Sequence, residues 1–540
     1  MKNMETVITA AAGQQISRRA LLNAAAIRHG VRLACGAIRP STICAGLACY
    51  VAYRVIHGLW LSPARGIPGP LYARISSVPS RVLSLFRSTN DDMVAQAERY
   101  GPVFLMEPQK VAVCHPDDCR AVLGSYAFVK DTMYANVDFM EPNIFLTRDA
   151  GLNRQRRRQI GPALSVPGLQ RMAPAIMAAG PRQLLAKWDA YIEQQGGQRA
   201  RVCYYDDLTL MSFDVIASLG FGQHHRSLTT GDSTIAHWVE KTFALMILQM
   251  ALPAVKYWPL RPLANRVLGA HVAAFFEFAR GAVQQRRLAM AKGLEHSDML
   301  QQFINAQDPH GCVRMTSRQV ITETIMMLLS GADTSSTAMA WTLHLLTLHP
   351  EHLAACTRQV RAAFARDALV SYADAREHAP FLEACILESM RVCPVSTNLP
   401  RIVPDGGVTL RGHFIPAGFR VAVSTAAANH DPHTWPDPHR FDPHRFAADN
   451  PAADANRRNL MTMSAGVRIC PGRHLVMFEM VVTLANILNR YDLHIPSDAL
   501  FAPEIRDARG HPRIMPRTNL VAMVPKHPSR DCNLVISRRP

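Results

Sequence analysis

The residues best suited to chemistry fall in four places, and the tightest is the stretch from Met463 to Gly472 around Cys470. Gly466 and Gly472 flank this cysteine, Pro471 follows it directly, and Arg468 stands two residues before it. Glycine tolerates positive φ and close approach of another group, while proline fixes φ and removes an N–H, so the backbone bends tightly around one sulfur. Such a turn can aim several N–H groups at a thiolate. A lone cysteine is more often a buried, inert small hydrophobe. The second place is the run Ser330-Gly331-Ala332-Asp333-Thr334-Ser335-Ser336-Thr337, the third is Glu388 with Arg391, and the fourth is the basic run Arg154, Arg156, Arg157 and Arg158. Each has a plain reading as well: a helix weakness, a surface ion pair worth roughly 0.2 to 0.5 kcal/mol, and a solvated helix face.

The elements that must carry these residues are mostly helical. Residues 474–490 are apolar at Leu475, Phe478, Val482 and Ala485, a three-and-four spacing that predicts a helix packed on one face and puts the sulfur at its N-terminus, where the dipole favours an anion. A run capped by Thr316 or Ser317 and reaching His349 predicts a long helix with the hydroxyl-rich patch in its middle. Small and hydroxyl residues compete for backbone hydrogen bonds there, so the helix is expected to open locally, as at a π-bulge. Residues 380–392, with Pro380 in the first turn, predict the helix that holds Glu388 and Arg391. Upstream the pattern gives a helix over 91–100, short strands at 103–106 and 111–114, a helix over 116–123, a loop over 125–150, and a helix over 208–219. Residues 236–295 are apolar and methionine-rich, broken by Pro253, Pro259 and Pro262.

The chain has 540 residues, 48% hydrophobic and 19% charged, enough to bury a large core. Its twelve cysteines show neither CxxC pairs nor zinc spacing, which argues against a disulfide framework or a structural metal site. A formal charge of +17 suits nucleic acid, an anionic membrane or an acidic protein partner, but no nucleic-acid motif occurs in the basic stretches. Residues 1–40 carry Lys2, Arg18, Arg19, Arg28, Arg32 and Arg39 against Glu5 alone, and the arginines interrupt every apolar run, unlike a cleavable secretory signal. Residues 41–61 are mostly apolar and close to the roughly 20 residues of a membrane span. So many N-terminal arginines should hold that end in the cytoplasm and send the body across, unless a first span near residues 20–38 makes a hairpin. A mitochondrial transit peptide is the other reading of the same segment.

The motifs together resemble the cytochrome P450 family. Its haem-binding loop reads Phe-x-x-Gly-x-Arg-x-Cys-x-Gly; Gly466, Arg468, Cys470 and Gly472 match, and Met463 stands in place of phenylalanine. The patch Gly331-x-Asp333-Thr334-Ser335 matches the acid-alcohol element of the distal helix, and Glu388-x-x-Arg391 the Glu-x-x-Arg helix. Arg445 is kept in the Pro-Glu-Arg-Phe element, with His444 replacing glutamate, while in the Trp-x-x-x-Arg helix Arg157 matches and Asn153 replaces tryptophan. The resemblance implies that Cys470 is the thiolate ligand of haem b (iron protoporphyrin IX). It implies that Arg468, Arg157 and Arg401 pair with the propionates, that Asp333 and Thr334 move protons to bound oxygen, and that Glu388, Arg391 and Arg445 form a structural triad.

The implied fold is mainly α, a large helical domain with a small β-rich part, preceded by a membrane anchor: residues 1–62 anchor, 63–70 proline-rich hinge, 71–525 catalytic domain and 526–540 a basic, frayed tail. The implied activity is monooxygenation of an apolar organic substrate, with electrons from NADPH through a separate, acidic flavoprotein reductase. No GxGxxG follows a strand in this chain. The implied place is the endoplasmic reticulum membrane with the catalytic domain in the cytosol, the mitochondrion being the alternative. Two rivals stand beside this: a haem-thiolate isomerase or dehydratase without oxygen activation, against which Asp333-Thr334 argues, and a non-catalytic haem sensor or carrier.

Overall fold

Helices carry most of the chain, and the small sheets sit beside them to fix the ends of the segments that bear the motifs. The structure, a computed structural model, describes residues 40–86, 88–222, 226–519 and 522–540. A helix over Pro40–Ile56 widens into a π-helical turn at His57–Leu61. Ser41–Leu61 is the one stretch among the described residues long and apolar enough to cross a membrane, with a mean hydropathy of 1.3 and only 6% burial. The weak first span expected near residues 20–38 lies outside the described residues.

The long helix runs Ser317–Leu348 and starts in a capping box, in which Thr316 accepts from the Gln319 N–H and the Gln319 side chain returns to the Thr316 N–H. Contrary to the expected opening, it stays α-helical through the hydroxyl patch. The hydroxyls bond back along the same helix, Ser330 Oγ to Met326 O at 2.7 Å and Thr334 Oγ1 to Ser330 O at 2.6 Å, so they add to the backbone ladder without breaking it. The helix packs along Tyr204–Phe221, which ends at Gly222 in the left-handed region, and against Arg473–Arg490. Trp188, Trp341 and Trp435 are fully buried in the cores that result.

Five strands make the main sheet, in the order Val103–Glu107, Lys110–Val113, Arg420–Ser424, Asn398–Ile402, Val129–Lys130. The last pair brings Lys130 opposite Arg401. The stretch 125–150, expected as plain loop, therefore holds a short strand and a 3-10 turn over Thr132–Asn136. A second correction concerns the end of the chain. Residues 526–540 are not frayed: Asn533–Arg538 is the central strand of a three-stranded sheet between Arg199–Cys203 and Tyr491–His494, and Leu534 and Ile536 alternate into the core. The basic residues hid a period-two apolar pattern that only pairing partners make use of.

Candidate active site

Cys470 sits where the turn meets the helix Arg473–Arg490, with Gly472 as the residue before its first turn. The Cys470 N–H donates to Met463 O at 2.9 Å and the Ile469 N–H to Gly466 O at 3.2 Å, so the loop closes on itself through backbone atoms. Met463 contributes its carbonyl here, and its half-buried side chain packs against the core beneath the loop. Gly466 has φ +63, and a Cβ there would lie 2.5 Å from Leu123 O and Gly124 Cα, so the loop is seated directly on the end of the Pro116–Leu123 helix. Gly472 is different: its φ is −81 and an added Cβ would meet nothing closer than Cys470 Sγ at 3.9 Å. Burial pushes the Cys470 thiol up, opposed by the Gly472 and Arg473 N–H groups and by the guanidiniums of Arg157 and Arg473. A coordinated metal ion removes the thiol proton outright.

Beside this loop three guanidiniums converge with Lys130, whose Nζ donates to the Ile144 and Phe145 carbonyls. Arg468 is 7% exposed, Arg401 3% and Lys130 6%, and Arg157 is half-buried. Burial and then Arg401 depress Arg468 to about 10, and burial with Arg468, Arg401 and Arg157 drives Lys130 well below its usual range. Like charges directly opposite on paired strands, as Lys130 and Arg401 are, destabilise a sheet. The acid that Lys130 feels, Glu323, is already engaged by Arg156 at 3.3 Å and by the Ile144 N–H at 3.1 Å. Nε and Nη2 of Arg468 are buried without a protein acceptor. A cluster of this kind fits a group bearing two carboxylates next to a sulfur ligand, which is what haem with its two propionates brings. Arg157 donates through Nη2 to Ile469 O at 2.7 Å and through Nε to Asn153 Oδ1 at 3.2 Å.

On the long helix every residue from Val320 to Leu348 is buried except Ser330, Gly331, Asp333 and Thr334. That face alone stays partly open. Burial, with a smaller contribution from Glu240, pushes the Asp333 carboxyl up to about 6, so it exchanges its proton near neutrality.

Glu388 and Arg391 are both fully buried. Arg391 grips the carboxylate with two bonds of 2.8 Å and spends its other donors on the carbonyls of Asn429, Pro438 and Arg440. Arg445 Nε approaches Glu388 Oε1 at 3.4 Å while its Nη2 donates to Pro436 O and Asp437 O. The Asp442 N–H donates to Glu388 Oε1 at 2.9 Å. Helix Pro380–Val392 is thereby bolted to the segment leading into the cysteine loop. His444, in place of the family's glutamate, puts its ring against Phe381 at 5.2 Å and His352 at 5.8 Å.

Three features escaped the sequence reading. Lys130 lies in a stretch without periodicity, and only the strand register reveals its neighbour. Glu323 and Arg156 lock the Ile144 turn to the long helix, a pairing without local signal. Glu479, nine residues after Cys470 on its helix, is fully buried with both oxygens unpartnered. Burial pushes it up to about 7, opposed by the Ser212 and Ser335 hydroxyls.

Comparison with known proteins gives one consistent answer. The cytochrome P450 family model matches residues 81–507. Cytochrome P450 monooxygenase helB1 of Aspergillus fumigatus is 37% identical over 495 residues, 91% of this chain and 84% of that protein. Versicolorin B desaturase stcL of Emericella nidulans is 26% identical over 85% of this chain and 93% of its own length. Among solved structures, the haem domain of cytochrome P450DA superposes with a TM-score of 0.70 at 20% identity, covering 85% of this chain and 95% of that one.

Proposed function

Because the chain belongs to the cytochrome P450 family and is one of its monooxygenases, we propose that Cys470 is the axial thiolate of haem b and that the protein inserts one atom of O2 into an apolar organic substrate, releasing the other as water. The observation that carries this reading is the buried Arg468 guanidinium, whose Nε and Nη2 have no acceptor in the protein, beside Arg157 and Arg401 at the cysteine loop. Haem supplies oxygen binding, electron uptake and O–O cleavage when bound. The protein's share is to hold and feed it. Arg157, Arg401 and Arg468 hold the propionates, and Glu388, Arg391 and Arg445 fix the loop that presents the sulfur.

Asp333, titrating near 6 on the open face of the long helix, takes protons from water and holds them at its carboxyl. The Thr334 hydroxyl, parked on Ser330 O at 2.6 Å, passes them inward by rotating away from that carbonyl. An acid-alcohol pair on the open face of the long helix favours oxygen activation, which consumes protons, over the isomerase or dehydratase reading. Electrons come from NADPH through a separate acidic flavoprotein that docks on the basic surface near the exposed Arg154, Arg158 being held in an ion pair by Asp308. Residues 1–62 anchor the enzyme to the endoplasmic reticulum membrane, and the stretch 63–70 links anchor to catalytic domain.

The test is the reduced carbon monoxide difference spectrum of the purified protein beside Cys470→Ser. A red-shifted Soret band in the parent alone is the expected result; its absence from folded, haem-bound parent refutes the thiolate assignment. Reductase-dependent NADPH consumption that rises with substrate then separates the enzyme from a haem carrier.

A further inference from the structure

Resting on the haem-thiolate reading above, we propose that Tyr126 and Asn153 are positioning residues of the cofactor cradle and together replace the tryptophan that the family pattern has at position 153. Asn153 is 1% exposed and uses its amide on three sides. Its Oδ1 accepts from Arg157 Nε at 3.2 Å and from the Tyr126 hydroxyl at 3.1 Å, and its Nδ2 donates to Ile144 O at 3.1 Å. Both lone pairs of the carbonyl are thereby occupied, and the amide orientation is set. Arg157, pinned through Nε, reaches Ile469 O with Nη2 and is left with its Nη1 end for another acceptor.

Tyr126 acts on the second arginine. Two guanidiniums lie over its ring, Arg154 at 4.5 Å from the centroid and Arg468 at 5.0 Å. Stacking on a ring holds a planar guanidinium at a chosen tilt without consuming its N–H donors. That matters for Arg468, whose Nε and Nη2 are buried and have no acceptor within the protein. The Tyr126 hydroxyl also lies 3.4 Å from Val467 O. Val467 and Ile469 flank Arg468 in the cysteine loop, so Tyr126 on one side and Arg157, which Asn153 pins, on the other hold the peptide around that arginine. Beyond their backbone partners, the half-buried Tyr126 and the buried Asn153 converge on Arg157 and Arg468, two arginines beside the cysteine loop.

Haem release tests the proposal in full-length holoprotein, followed as transfer to excess apomyoglobin at the Soret band, with the carbon monoxide difference spectrum taken on the same samples. A hydrogen bond to a charged group corresponds to about a tenfold change or more in an equilibrium. Asn153→Leu and Tyr126→Leu are each expected to release haem about tenfold faster while keeping the red-shifted band. Tyr126→Phe, which keeps the ring and loses the hydroxyl, falls between parent and Tyr126→Leu. The double variant accelerates release by less than the product of the singles, because the two residues share a hydrogen bond. Adding Asn153→Trp to Tyr126→Leu returns release toward the parent rate, an effect that general packing does not produce. If the leucine variants do not accumulate, Asn153→Ser and Tyr126→Phe carry the comparison. Unchanged release in both singles with a normal band, or acceleration that is multiplicative and not rescued by tryptophan, overturns the proposal and leaves the monooxygenase reading intact. A parent without the red-shifted band removes that reading itself.

Discussion

Replacing Glu388 by alanine isolates the contribution of one buried carboxylate to the whole proximal side. In the structure this carboxylate receives two 2.8 Å bonds from Arg391, the Asp442 N–H at 2.9 Å and the Arg445 guanidinium at 3.4 Å. Three of the Arg391 bonds go to the carbonyls of Asn429, Pro438 and Arg440 and survive the change, so its charge stays buried and uncompensated. Removing one partner of a buried pair costs about 3–5 kcal/mol, and stranding a buried N–H adds about 1–3 kcal/mol. Against a native stability of about 5–15 kcal/mol, that is enough to release the segment from Asn429 to Asp442 that leads into the cysteine loop. Glu388→Ala should accumulate as haem-free or insoluble protein, read as the ratio of Soret to protein absorbance and as soluble yield. Glu388→Gln, which keeps the shape but loses the charge, should fall between. A Glu388→Ala protein that is haem-replete and melts with the parent refutes the reasoning.

Thr334→Ala should leave the fold intact, since alanine is the better helix former, and should divert reducing equivalents from product to hydrogen peroxide; product formed stoichiometrically with NADPH consumed removes Thr334 from proton delivery. Gly466→Ala should lose haem, because its Cβ collides with Leu123 O and Gly124 Cα at a φ of +63, whereas Gly472→Ala should retain it; equal haem content in the two variants contradicts the loop geometry. Glu479 gives a pH signature. A carboxyl raised from 4.5 to about 7 on folding stabilises the native state fully below pH 4.5, and that contribution is lost as pH rises through about 7. Glu479→Gln should therefore gain on the parent between about pH 5 and 7.5, by an amount on the order of 2–3 kcal/mol in denaturant unfolding; a gap that does not change with pH shows that Glu479 is not the group.

Much of the site was legible because its signals are local. The bend at Cys470 follows from glycine and proline dihedrals, and Gly466 does adopt the left-handed region. The capping box at Thr316, the proline at the start of the Glu388 helix, and the three-residue spacing of Glu388 and Arg391 are all set within one or two turns of backbone. The hydroxyl patch was visible as a break in helix formers; that it leaves the helix unbroken depends on rotamers bonding to carbonyls one turn back.

By itself, then, the sequence determined the family, the helical architecture and a membrane-length apolar segment, and it singled out Cys470 and the Asp333-Thr334 pair as the residues proposed for the sulfur ligand and proton delivery, because each is written in neighbouring residues or in a helical period. Tertiary structure alone decided where distant charges meet. Lys130 stands beside Arg401 through strand register, which no local pattern encodes. Asn153, read in sequence as a missing tryptophan, becomes the hub of Tyr126, Arg157 and Ile144 once its helix is placed. The basic C-terminal segment becomes a central strand because Arg199–Cys203 and Tyr491–His494 offer it two edges. Charges and edges act through space at separations along the chain that periodicity does not reach, and burial turns their meeting into the cradle on which the chemistry rests.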